Sequence, residues 1–141
     1  MTTNGIVSFD RTVQKTHQWI DELKISMGWF DPEEAYRALR ATLHALRDRL
    51  TVEEAAELGA QLPMLVRGFY YEGWRPTGKP VKERHKDEFL AHIDEALAGY
   101  GLGSSEEIAR GVFRLLNHRI SAGEMEDVQS ILPKEIRELF H

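Results

Sequence analysis

Apolar side chains recur along this chain at alternating steps of three and four, the period of an α-helix. Phe9, Val13, Thr16, Ile20, Leu23 and Met27 make one face of a first helix, and Ala35, Leu39, Thr42, Leu43, Leu46 and Leu50 the inner stripe of a second. Ala55, Leu58 and Leu62 mark a third, and Met64 to Tyr71 a fourth that is apolar on most sides. Phe89, Leu90, Ile93, Ala96, Leu97 and Tyr100 give a fifth; Ile108, Val112, Leu115 and Leu116 a sixth; Met125, Val128, Ile131 and Leu132 a seventh; Ile136, Leu139 and Phe140 a last, short one. No segment alternates apolar and polar residues between turn signals, so the pattern predicts an all-α fold of about eight helices.

The predicted helix starts share one signal. Asp31-Pro-Glu-Glu34, Thr51-Val-Glu-Glu54, Ser104-Ser-Glu-Glu107 and Ser121-Ala-Gly-Glu124 each place a capping oxygen three residues before a Glu. The first oxygen accepts from a free N–H of the new helix, and the Glu can reach back to the N–H of the capping residue. After a short polar arm, Ser8 offers a cap for the first helix. Pro63 and Pro133 open the fourth and the last, and Gly28, Gly99, Gly101 and Gly103 supply stops.

The same signals return in the same order, which predicts an internal duplication. At an offset of 70, Arg40, Leu46, Arg49, Glu54, Leu62, Pro63 and Arg67 fall on Arg110, Leu116, Arg119, Glu124, Leu132, Pro133 and Arg137. Upstream, an offset of 73 aligns Ile20-Asp-Glu22 with Ile93-Asp-Glu95 and Gly28 with Gly101, as if about one helical turn were missing from the second copy. The expected architecture is a compact helical bundle of two tandem repeats, about 8–76 and about 82–141, joined by a linker at about 72–82. Each unit alone has little apolar surface, so the two should share one core in a single domain over 1–141.

Composition narrows the functions open to such a domain. Eighteen basic against twenty-three acidic residues give a net charge of −5, which speaks against general nucleic-acid binding. The absence of cysteine excludes disulfides, thiolate zinc sites and thiol catalysis. The N-terminus has neither the basic nor the apolar region of a signal peptide, and no apolar run approaches the roughly 20 residues that span a bilayer. The expectation is a soluble, cytoplasmic protein without a membrane partner.

Two clusters could carry a function. Arg37, Arg40, His44 and Arg47 follow one another at steps of three, four and three, a stripe opposite the apolar face of the second helix. Such a row of guanidinium groups suits a carboxylate or phosphate ligand, or it is a solvated face paired with Glu33, Asp48 and Glu53. The linker combines Tyr70, Tyr71 and Trp74 with Arg75 and Arg84, in a segment fixed by Gly73, Pro76, Gly78 and Pro80. Aromatic and Arg-rich loops serve as interface anchors; the alternative is that the rings pin the crossover between repeats. The pairs His17/Asp21 and His85/His92 fall short of the three or four converging ligands that a metal needs, and neither His44 nor His118 is placed as a haem ligand, so no metal or cofactor is expected.

The chain also resembles a known family, the bacterial domain-of-unknown-function family numbered 2267. The stretches that carry the resemblance are residues 9–19, 35–50, 60–76 and 120–128, with Tyr-Tyr-Glu-Gly-Trp at 70–74 the most specific. The resemblance implies an all-helical fold and supplies no catalytic residues. The sequence therefore supports a non-enzymatic protein-interaction module that associates with itself or with another protein through the linker. Its rival is a small-molecule binder or enzyme with a pocket between the repeats. An exposed aromatic patch would favour the first, and a pocket of convergent polar side chains the second.

Overall fold

The buried apolar side chains form one cluster that draws on every helix of the chain. The computed structural model describes residues 5–141, and among them there is no strand. The helices are α1 (Val7–Met27), α2 (Pro32–Arg49), α3 (Val52–Gln61), α4 (Met64–Tyr71), α5 (Lys86–Ala96), α6 (Ser105–Arg119), α7 (Ala122–Ile131) and α8 (Lys134–Arg137), with a closing 3₁₀ turn at Glu138–Phe140. Helices α1, α2 and α6 pack against one another, and α5 joins α2 and α6. The shorter α3 and α7 lie side by side, each against the helix next to it in the chain.

The start signals work as local chemistry dictates. Thr51, Ser104 and Ser121 accept from the N–H of Glu54, Glu107 and Glu124 at 3.1, 3.3 and 3.3 Å, while Asp31 accepts from Glu33 at 3.0 Å. The reciprocal arm departs from expectation. Glu54 and Glu124 do not reach back to their caps; their carboxyl groups turn inward between α3 and α7, where both residues are buried. His85 opens α5 in a box that the sequence reading missed, its N–H donating to Glu88 at 3.1 Å.

The start of α1 corrects the expected cap. Ile6, not Ser8, stands at the N-cap without a side-chain bond, so Ser8 falls inside the first turn. The expected polar arm covers residues 1–4, which lie outside the described residues. Phe9, expected on the inner face, is 47% exposed, because the first turns of α1 run past the core that begins at Trp19 and Ile20. Tyr100 likewise lies beyond the end of α5, half-exposed under the guanidinium of Arg37 at 4.4 Å.

Two close approaches rest on glycines inside helices. A Cβ on Gly59 of α3 would collide with the Tyr71 hydroxyl and lie 2.7 Å from its ring carbon. A Cβ on Gly111 of α6 would stand 2.5 Å from the Met27 sulfur of α1. Gly68 of α4, by contrast, has open space where a side chain would project. Gly59→Ala is therefore expected to destabilise the fold by about 1–3 kcal/mol through overpacking. Gly68→Ala should stabilise it by about 0.5–1 kcal/mol by removing backbone freedom from the unfolded chain. Denaturant unfolding of the two variants beside the parent protein checks both signs.

Candidate functional site

Arg40, His44 and Arg47 of the α2 stripe meet the end of α4, while Arg37 pairs within α2. Arg47 is 4% exposed, which corrects its expected place on a solvated face. Its guanidinium donates to Tyr70 O at 2.7 Å, to Glu72 O at 2.9 Å and to the Asp48 carboxylate at 2.9 Å. His44 Nε2 lies 2.6 Å from Phe69 O, and since a carbonyl only accepts, that nitrogen carries the proton. Arg40 pairs with Glu72 at 3.2 Å and Arg37 with Glu33 at 3.5 Å. Local backbone N–H groups of Glu72 and Trp74 meet Phe69 O and Tyr71 O at 3.4 and 3.0 Å, and the stripe supplies the side-chain donors to Phe69 O, Tyr70 O and Glu72 O. Arg47 is thereby occupied, which leaves Arg37 and Arg40 as the partly exposed members of the proposed anion stripe. Burial, with the Arg47 and Arg40 charges acting the same way, holds the His44 ring below its ordinary pKa.

The linker aromatics are packed on the fold. Tyr70 is fully buried and its hydroxyl donates to Ala55 O at 2.7 Å, so it has no surface to offer a partner, against its candidate role as an interface anchor. Tyr71 meets Tyr70 edge-on at 4.9 Å between ring centres and Trp74 at 5.3 Å, and both Tyr71 and Trp74 are half-buried. Arg75 and Arg84 are exposed. Further along, Val81 N–H donates to Asp48 O at 3.0 Å and Arg49 to Glu83 O at 2.6 Å, holding the linker along α2. Between α2, the linker and α5 lies a cavity of about 290 Å³ lined by His44, Asp48, Arg49, Lys79, Glu83 and His92 among others.

A third region escaped the sequence reading. A cleft of about 460 Å³ opens where α1 passes the α3–α4 turn and the end of α6. Arg11, Lys15, Arg67 and Arg119 line it, with no carboxylate in its walls among the described residues, and Trp19 and Leu62 are buried members of its lining. Arg67 is committed to Gly59 O and Leu62 O at 2.8 Å each, and Arg119 to Glu22 at 2.8 Å. Arg11 and Lys15 are exposed, one turn apart. At the rim, Met64 and Leu65 of α4 are 52% and 46% exposed, and Leu65 N–H donates to the Thr12 hydroxyl at 2.9 Å, which ties the start of α4 to α1 near exposed Phe9. An apolar hollow lined by Thr16, Tyr36, Leu65, Gly68, Phe69 and Glu72 continues along α4. The signal in the sequence was the apolar circumference of α4; the cations come from three separate elements.

Comparison with known proteins gives one family match. The model of a family described as "Uncharacterized conserved protein (DUF2267)" matches residues 16–139. No curated protein matches the chain.

Two outcomes follow from the α2–α4 contact. Arg47→Ala should cost about 3 kcal/mol, since it leaves buried carbonyls without donors, and Arg47→Lys should recover little because one ammonium cannot span the same partners. Equilibrium unfolding measures both. His44 adds a pH dependence. Its folded pKa is depressed while the unfolded value stays near 6.5, so the unfolded chain takes up the proton first as the pH falls. The stability contributed by neutral His44 is complete above about pH 6.5 and is lost as the pH drops through that value towards the folded pKa. His44→Gln keeps a donor for Phe69 O without titrating, so the deficit of this variant relative to the parent should shrink between pH 7.5 and 5.5. Parallel curves would contradict the assignment.

Proposed function

The chain belongs to the DUF2267 family, and on that premise we propose that it is a non-enzymatic protein-interaction module whose α1–α4 surface receives an acidic amphipathic segment of another protein. The observation that carries this reading is the cleft lined by four cations and, among the described residues, by no carboxylate, in a chain of net charge −5, bordered by exposed Met64 and Leu65. At the offset of 70 these two positions are Lys134 and Glu135, both exposed. Taken as the counterpart in the proposed second repeat, this pair is charged where α4 keeps apolar side chains. Exposed apolar surface beside the exposed cations of Arg11 and Lys15 suits an amphipathic helix that lays leucines on α4 and carboxylates on those two side chains. Charge also selects between partners: a symmetric pair of copies meeting on this face would bring the same cations together.

The alternative reading, a small-molecule site, is favoured by the cavity between α2, the linker and α5. There the neutral His44 ring, donating through Nε2, leaves Nδ1 as an acceptor. Most of the remaining polar groups in its lining are already bound: Arg47 and Arg49 to carbonyls, His92 to Glu83 at 2.8 Å. This is why the α1–α4 surface is preferred.

A labelled synthetic helix of about 18 residues, with a leucine face flanked by glutamates, tests the proposal by fluorescence anisotropy. It should bind about tenfold or more tightly than its lysine-flanked twin. Leu65→Glu, and separately the Arg11→Glu/Lys15→Glu pair, should each weaken binding by a similar factor while the circular dichroism stays that of the parent. Equal affinity for the two peptides would overturn the acidic partner. A dimer in light scattering that Leu65→Glu dissolves would give the face to a second copy of the chain.

A further inference from the structure

The inward turn of Glu54 and Glu124 has a chemical consequence. Glu54 and Glu57 are three residues apart on α3, as are Glu124 and Asp127 on α7, so each pair shares one helix face. Because α3 and α7 lie side by side, one carboxylate oxygen from each of the four residues comes within 4.8 Å of every other. We propose that Glu54, Glu57, Glu124 and Asp127 bind a hard divalent cation between α3 and α7, calcium in preference to magnesium.

An acidic cluster on a surface would need no such explanation; this one has a sealed floor. Glu54 and Glu124 are only 6% and 9% exposed. One carboxylate oxygen of each is shut off from solvent and accepts no hydrogen bond from the described residues. The charges that bear on Glu54 there come from Glu124, Glu57 and Asp127, all of them acidic. Glu57 and Asp127 are exposed, and they form the open side through which an ion enters.

The donor set chooses the metal. Four carboxylate oxygens, with no nitrogen or sulfur, suit calcium, magnesium or manganese rather than zinc or copper. Calcium takes six to eight oxygens in a flexible shell and accepts several protein carboxylates at once. Magnesium keeps several of its waters and usually takes one or two carboxylates, so a set of four protein carboxylates favours calcium. A bound ion would supply the positive charge that the interior of the α3–α7 pair lacks and would tie the two halves of the chain together.

The competing neutraliser is a shared proton, and calcium titration separates the two. Chelator-treated protein titrated with calcium chloride in a calorimeter should show one site per chain, with magnesium bound at least about tenfold more weakly. Saturating calcium should raise the melting temperature by roughly 5–10 °C over sodium chloride of equal ionic strength. Glu54→Gln/Glu124→Gln should abolish the calcium response. Glu57→Gln/Asp127→Asn, at exposed positions that do not endanger the fold, should weaken binding about tenfold or more, and this variant decides the matter if the buried one fails to fold. No heat up to millimolar calcium, or a melting shift that sodium chloride reproduces, would overturn the site and leave two carboxyl groups sharing a proton.

Discussion

The buried guanidinium of Arg47 holds the fold around α4 in place. Helix α4 has only eight residues; the chain turns out of it through left-handed Gly73, which brings Trp74 N–H to Tyr71 O, while the carbonyls of Phe69, Tyr70 and Glu72 take side-chain donors from elsewhere. Arg47 and His44 reach across from α2 to meet them, and a cation at a helix C-terminus also opposes the negative end of the helix dipole. The device recurs. Arg67 closes the end of α3 on Gly59 O and Leu62 O, and Arg110 and Asn117 close the final turn on Glu138 O, His141 O and Phe140 O. Asn117 and Phe140 stand at the offset of 70 from Arg47 and Tyr70, and in both pairs the side chain of the first donates to the carbonyl of the second. With its inner side fixed in this way, α4 presents Met64 and Leu65 outward.

The sequence made the helices legible because their signals are local. A capping oxygen, a proline at a first turn and a stripe at steps of three and four act within a few residues, and each of α2, α3, α6 and α7 begins where such a signal stands. The candidate sites were less legible because their meaning depends on what lies opposite. Arg47 reads identically in sequence whether it faces water or the carbonyls of α4. Glu54 sits three residues after Thr51 whether it turns back to the cap or inward to Glu124. Tyr70 and Trp74 looked like loop aromatics open to a partner, yet Tyr70 spends its hydroxyl on Ala55 O. The cationic cleft was invisible for a further reason: α1, α4 and α6 contribute its charges from positions more than fifty residues apart.

The two halves of the chain differ most on their outer faces. Core positions match in character, as Leu46 matches Leu116 and Leu62 matches Leu132, because close packing leaves little room for change. Outside the core, Met64 and Leu65 stand where the other half has Lys134 and Glu135. Inside the α3–α7 contact the halves agree again, each contributing an acidic pair at the same spacing, although two buried carboxylates face to face are costly for a fold to keep. Apolar surface kept in water and charge kept out of it both run against stability, and both occur where a ligand has been assigned.

The crossing of α1 and α6 has a consequence in redox chemistry. Gly111 leaves a gap that the Met27 sulfur fills, and a thioether suits that role because it is unbranched and polarisable. With no cysteine in the chain, its four methionines carry all of its sulfur. Oxidation to the sulfoxide would add a polar oxygen to the very atom that stands in for the missing side chain of Gly111. The modified side chain and the close helix crossing compete for the same space, so oxidation at Met27 works against the packing of α1 on α6.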